Sequence, residues 1–176
     1  MGIVQTNEQK IDQYFLDILR EVEEENENER YTAVDYHALR HTFMELLRKA
    51  YGLERTSEFF RQAGYLAGAE HAKYKLDLDV DFNTFIANLR ETLDRLKIGD
   101  LRMEAYDPNT GSFEMIVRHE HGDGGMSSKY DKLNAYDEGL LCGIFDVYSG
   151  KKYDVKEVDC WTNENAMCRF VGTVIE

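Results

Sequence analysis

A chain of 176 residues, 43% hydrophobic and 12% aromatic with one proline, has the size and composition of a single folded domain with a core rich in Tyr and Phe. Its net charge of −13, with no cluster of lysines and arginines to offset it, argues against direct binding to a nucleic-acid backbone. No run approaches the roughly 18 to 20 apolar residues that span a bilayer, and the opening MGIVQTNEQK lacks the basic and hydrophobic regions of a leader, so the sequence reads as cytoplasmic with no membrane partner.

In chain order, Thr6 followed by Ile11, Phe15, Ile18 and Val22 predicts an amphipathic helix that runs into the acidic EVEEENENE. Residues 1–30 are therefore expected to be an N-terminal helix and acidic segment, available for dimerisation, with the domain proper at 31–176. A second helix from Asp35 places Leu39, Phe43, Leu46, Leu47 and Ala50 on one face and stops at Gly52. A third, from about Thr56, carries FFRQAGYLAGAEHA, in which Gly64 and Gly68 lie one turn apart. Each costs about 1 kcal/mol relative to Ala in a helix, so a neighbouring backbone or a ligand is expected to come close. A fourth helix, from Asp81 to Gly99, buries Phe82, Phe85, Ile86, Leu89, Leu93 and Leu96.

The period then changes from helical to alternating. LRMEAYDPNTGSFEMIVRHEH predicts a β-hairpin turning at Asp107–Gly111. GDGGMSS reads as a flexible loop, a fifth helix carries Leu133, Tyr136, Leu140, Ile144 and Val147, and KYDVKEVDCW and CRFVGTVI form a last hairpin. The expected fold class is α+β, a single domain with N-terminal helices packed against an antiparallel sheet.

Without an export signal the three cysteines read as reduced thiols, which leaves metal ligation or plain burial ahead of a disulfide. Glu157 and Cys160, three apart, point to opposite faces of a regular strand and need a bulge to chelate together. Cys168 opens the returning strand and faces Cys160 across the short connection. Two thiolates and a carboxylate supply three of the four positions that zinc prefers, and Cys142 is the remaining cysteine candidate.

YDEGLLCGIFDVYSGKKYDVKEVDCWTNENAMCRFVGTV resembles the C-terminal signature of the V4R (4-vinyl reductase) domain family: a helix with Gly139 and Gly143, a Gly150-Lys151 turn, Glu157 and Cys160, then Cys168 after seven residues. LRHTFMELLRKAYG and AGYLAG resemble the opening helices of that family, so the similarity covers about residues 36–174. It implies a small-molecule-binding sensor domain that takes a hydrophobic or aromatic ligand, works as a homodimer and signals to a separate effector protein. It also implies a structural zinc on Glu157, Cys160 and Cys168. The family's remaining cysteine falls where this chain has Asn134, which leaves Cys142 as the alternative ligand.

For the ligand, His119 and His121 approach the GDGG loop on the same parity, and His71 ends the glycine-bearing helix. Gly64, Gly68, Phe60, Tyr65, Phe85 and Tyr136 are candidate walls of an apolar pocket, or equally the filling of a solid core. His37 and His41, one turn apart, read better as a titrating surface pair than as metal ligands. No dinucleotide or phosphate-loop fingerprint is present, so catalysis has little support. Two alternatives stand beside the sensor: a tetrapyrrole-pathway accessory protein or enzyme, and an interaction or scaffold module with a filled core.

Overall fold

The computed structural model describes residues 33–95, 99–118, 135–161 and 167–175, with side chains for all of these except 33–41, Arg95, Cys160 and Trp161. The chain divides into two compact units, Met1–Leu47 and Arg48–Glu176. Helix α1 (Ala33–Tyr51) crosses that division. Within the first unit Met44 is buried, but Phe43 and Leu46 are 49% and 60% exposed, so the apolar face read from the sequence stays uncovered there. The predicted opening helix lies outside the described residues.

The second unit contains α2 (Leu53–Lys75), α3 (Phe82–Arg95), β1 (Asp100–Tyr106), β2 (Phe113–Arg118), α4 (Ala135–Ser149), β3 (Tyr153–Trp161) and β4 (Met167–Val174). The four strands form one antiparallel sheet in the order β1-β2-β4-β3, the α+β architecture expected. No helix among the described residues is long and apolar enough to cross a membrane.

Local chemistry sets the boundaries. Asp81 caps α3: Asn83 and Thr84 donate their backbone N–H to its Oδ1 at 3.0 and 3.2 Å, which offsets the unsatisfied donors of a helix start. The β1-β2 turn closes with Gly111 N–H donated to the Asp107 carbonyl at 2.7 Å, Gly111 taking a φ of 75° that a side chain disfavours. The hydrogen bonds that Asn109 and Thr110 give Asp107 hold its carboxyl below the usual range.

α4 is the centre of the fold, with Gly139 to Asp146 buried without interruption. A helix apolar on all sides must be surrounded. Leu141, Ile144 and Phe145 belong to the core shared with Phe85, Leu89, Leu101, Phe113, Met115 and Phe170. Phe113 stacks on Phe145 at 4.2 Å between centroids, and Phe85 on Tyr148 at 3.7 Å. On α4's other side lies α2, at a crossing built from glycines. A Cβ on Gly64 or Gly68 would stand 2.0 Å from the carbonyl oxygen of Tyr136 or Leu140, and one on Gly139 or Gly143 would stand 2.0 or 2.2 Å from that of Arg61 or Tyr65. The close approach implied by Gly64 and Gly68 is therefore made by a helix, and neither glycine borders a ligand space.

Candidate functional site

β3 is an edge strand, so half of its backbone N–H groups point away from the sheet and need other acceptors. α4 supplies them. Tyr153 N–H donates to Asp146 Oδ1 at 2.8 Å, Val155 N–H to Cys142 Sγ at 3.3 Å, and Glu157 N–H to Glu138 Oε1 at 3.0 Å. Four helical residues advance about 6.0 Å and two strand residues about 6.6 Å, so side chains one turn apart stay in step with alternate strand positions. The arrangement continues into α2. Arg61 pairs with Glu138 and Asp154 and donates to the Val155 carbonyl and Cys142 Sγ. Tyr65 donates its hydroxyl to Asp146 at 3.0 Å, and Lys152, held protonated by Asp146 and Tyr65, lies 2.8 Å from Asp146 Oδ2.

This ladder fixes the place of Cys142. Its thiol is free and buried, and burial raises its pKa against the lowering effects of Val155 N–H and Arg61. Cys142 is thereby placed at Val155, five residues before Cys160 along the strand.

The bulge that chelation needs is present. The ladder pairs Glu157 with Phe170 and Asp159 with Arg169, so Val158 is the extra residue, 48% exposed, and Cys160 then pairs with Cys168. Glu157, Cys168 and Phe170 thereby share the face of the sheet that the helices cover. Cys168 is buried and disulfide-bonded, which corrects the expectation of reduced thiols. In that state Cys168 carries no thiolate to offer a metal. Among the described residues no group of three His, Cys, Asp or Glu side chains is arranged around a metal position.

The proposed ligand residues are dispersed. His119 and His121 lie outside the described residues, as do the side chains of His37 and His41. His71 is half-buried near the end of α2. Phe85 is fully buried, edge-on to Phe145, and Phe60 sits edge-on to Phe59 at 6.0 Å. Tyr65 commits its hydroxyl to the Asp146 ladder, and Tyr136 packs against the core with its carbonyl over Gly64. A cleft of about 590 Å³ between α3 and the ends of β1 and β2 is lined by Ala87, Arg90, Glu91, Asp94, Asp100 and Arg118, a set no sequence pattern pointed to.

No protein-family model and no curated protein matches the chain. Solved structures do. A vinyl-4-reductase family protein from Methanocaldococcus jannaschii aligns at 15% identity and a TM-score of 0.60, over 92% of this chain and 95% of that one. The phenol-responsive sensory domain of the transcription activator PoxR, with phenol, aligns at 18% identity and 0.57, over 78% of this chain and 73% of that one. A trafficking protein particle complex subunit 3 from Naegleria fowleri, covalently bound to palmitic acid, aligns at 10% identity and 0.57, over 82% and 98%. At these identities the likeness is one of fold, and the chain has the fold of the vinyl-4-reductase family proteins.

Proposed function

We propose that the chain is a small-molecule-binding sensor domain for a hydrophobic or aromatic ligand, signalling to a separate effector protein. The observation that carries the reading is the course of β2. Phe113, Met115 and Val117 are its buried positions, and His119 and His121 follow on the same parity in the sequence. The core beneath Phe113 and Met115 is filled by stacked aromatic rings, which favours His119 or His121, rather than that part of the core, as the group that orients the ligand. The fold shared with a phenol-responsive sensory domain supports the same reading. In the reduced chain, Glu157, Cys160 and Cys168 would hold a structural zinc that ties the last hairpin together; saturated ligation of that kind leaves no position for substrate.

Isothermal titration with phenol and a panel of monocyclic aromatics tests the site. Saturable binding that weakens about tenfold or more in His119→Ala or His121→Ala supports it, a loss of about 1.4 kcal/mol or more. No binding by any member of the panel to a folded chain overturns it. Zinc is read separately, by native mass spectrometry with and without reductant. One zinc per reduced chain, lost in Cys168→Ser, is the expected result. The filled core favours one second reading, an interaction module with no ligand, and that is the reading a null titration would leave.

A further inference from the structure

The cleft between α3 and the ends of β1 and β2, about 590 Å³, has the size of a small-molecule site. Its helical wall is one stripe of α3. Ala87, Arg90, Glu91 and Asp94 recur at the spacing of a single helix face, opposite the face that buries Phe85, Leu89 and Leu93. Its other wall is the first rung of the β1-β2 ladder, where Asp100 stands directly across from Arg118. An acid and a base in that relation ordinarily attract each other. Here Asp100 turns to the helix instead, and Arg90 donates its Nε–H to Asp100 Oδ1 at 2.8 Å. That pair ties α3 to β1 and leaves three charges without partners among the described residues: Arg118, Glu91 and Asp94. Among the same residues no three acidic, histidine or cysteine side chains converge on a metal position, so an organic cation is the better complement to Glu91 and Asp94.

We propose that this cleft binds a free basic amino acid of the arginine or lysine type through all three of its charges. The α-carboxylate lies on the Arg118 guanidinium, whose fork can take it bidentately. The α-ammonium and the side-chain cation lie on Glu91 and Asp94. The match holds in total as well as in sign, since one guanidinium against two carboxylates leaves one negative charge, and a basic amino acid carries one positive. An acidic amino acid would bring two carboxylates to a single guanidinium, and a neutral one would leave an acid of the cleft unmatched. The protein's net charge of −13 also draws a cationic ligand in preference to an anionic one. Arg90, Glu91, Asp94 and Arg118 are exposed, and exposed ion pairs are weak and screened by salt. The expected Kd is therefore on the order of 1 mM at low ionic strength. The site does not rest on the aromatic-ligand reading, because Arg118 lies on the opposite parity of β2 from Val117 and His119.

Nuclear magnetic resonance titration of the isotope-labelled full chain tests this with arginine, agmatine and norvaline at matched ionic strength. Agmatine keeps both cations of arginine and lacks its carboxylate, and norvaline lacks the side-chain cation. Arginine is expected to bind saturably, to shift the amides of residues 87–94, 100 and 118, and to bind about fivefold or more tighter than either analogue. Attraction to net charge alone would rank the doubly charged agmatine first, and that order overturns the proposal. Arg118→Gln is expected to abolish the advantage of arginine over agmatine, and Glu91→Gln combined with Asp94→Asn to weaken arginine by about tenfold. These are exposed positions, and the dispersion of the same spectra reports that each variant is folded. Arginine that does not saturate, shifts confined to other residues, or affinities unchanged in both variants overturn the site. A chain that binds no aromatic but passes this titration keeps the cleft, so the two readings fail separately.

Discussion

Helix α4 meets α2 and β3 by opposite means. Towards α2 it presents Gly139 and Gly143, and the contact is backbone on backbone, each helix also contributing two glycines to its partner's carbonyls. Towards β3 it presents Glu138, Cys142 and Asp146, whose side chains accept from the strand's outward N–H groups. The first contact tolerates no added atom, while the second tolerates any residue that can accept a hydrogen bond at the right height. One helix thus serves as a smooth surface on one flank and as a substitute strand on the other.

The comparison breaks hardest at the glycines. Gly143→Leu would drive an isobutyl group into the Tyr65 carbonyl, and the expected outcome is a chain with no cooperative melting transition by circular dichroism. Phe145→Ala, on the flank facing the sheet, serves as the yardstick of ordinary core packing. It should cost about 3–5 kcal/mol in a urea titration, with the fold retained. A Gly143→Leu chain more stable than Phe145→Ala would show that the helices can separate, contrary to the backbone contact described.

The accepting flank is tested by changing chemistry at constant size. Cys142→Val leaves the Val155 N–H without its acceptor and should cost about 1–3 kcal/mol, whereas Cys142→Ser keeps an acceptor and should cost less. Equal losses would mean that the thiol is only filling space. pH sharpens the point. Burial raises the Cys142 pKa above its ordinary 9.0, so the unfolded chain gives up this proton first. The thiol's contribution is complete below about pH 9 and is lost as pH climbs through the folded value. Stability measured from pH 8 to 10.5 should fall more steeply in the wild type than in Cys142→Ser.

Much of this frame is legible in local patterns. The turn at Asp107–Gly111, the cap at Asp81 and the last hairpin follow from a few neighbouring residues, and each is found where those residues predict it. Gly64 and Gly68 announce a close approach, but their partners lie some seventy residues on, and only the fold shows that a helix, not a ligand, fills the gap. The β3 ladder is harder still to read. Glu138, Cys142 and Asp146 are one turn apart, which any amphipathic pattern allows, and nothing in the strand marks its N–H groups as outward-facing until its place at the sheet edge is known. Cys142 was legible as a chemically notable residue and illegible in its role. For Cys168, reasoning from compartment favoured a reduced thiol, whereas the hairpin register that faces it with Cys160 was itself readable in the spacing.

Val158 has a consequence for how such a site is inherited. Because strand side chains alternate with a period of two, one inserted residue reverses the parity of everything beyond it. The bulge takes up Val158 without that reversal. Deleting Val158 would leave position 160 two places after Glu157 in a regular ladder, still opposite Cys168, whereas flattening the bulge at constant length would move position 160 to the uncovered face. Among chains of this fold, a spacing of two between the glutamate and the first cysteine therefore goes with a regular strand and a spacing of three with a bulge.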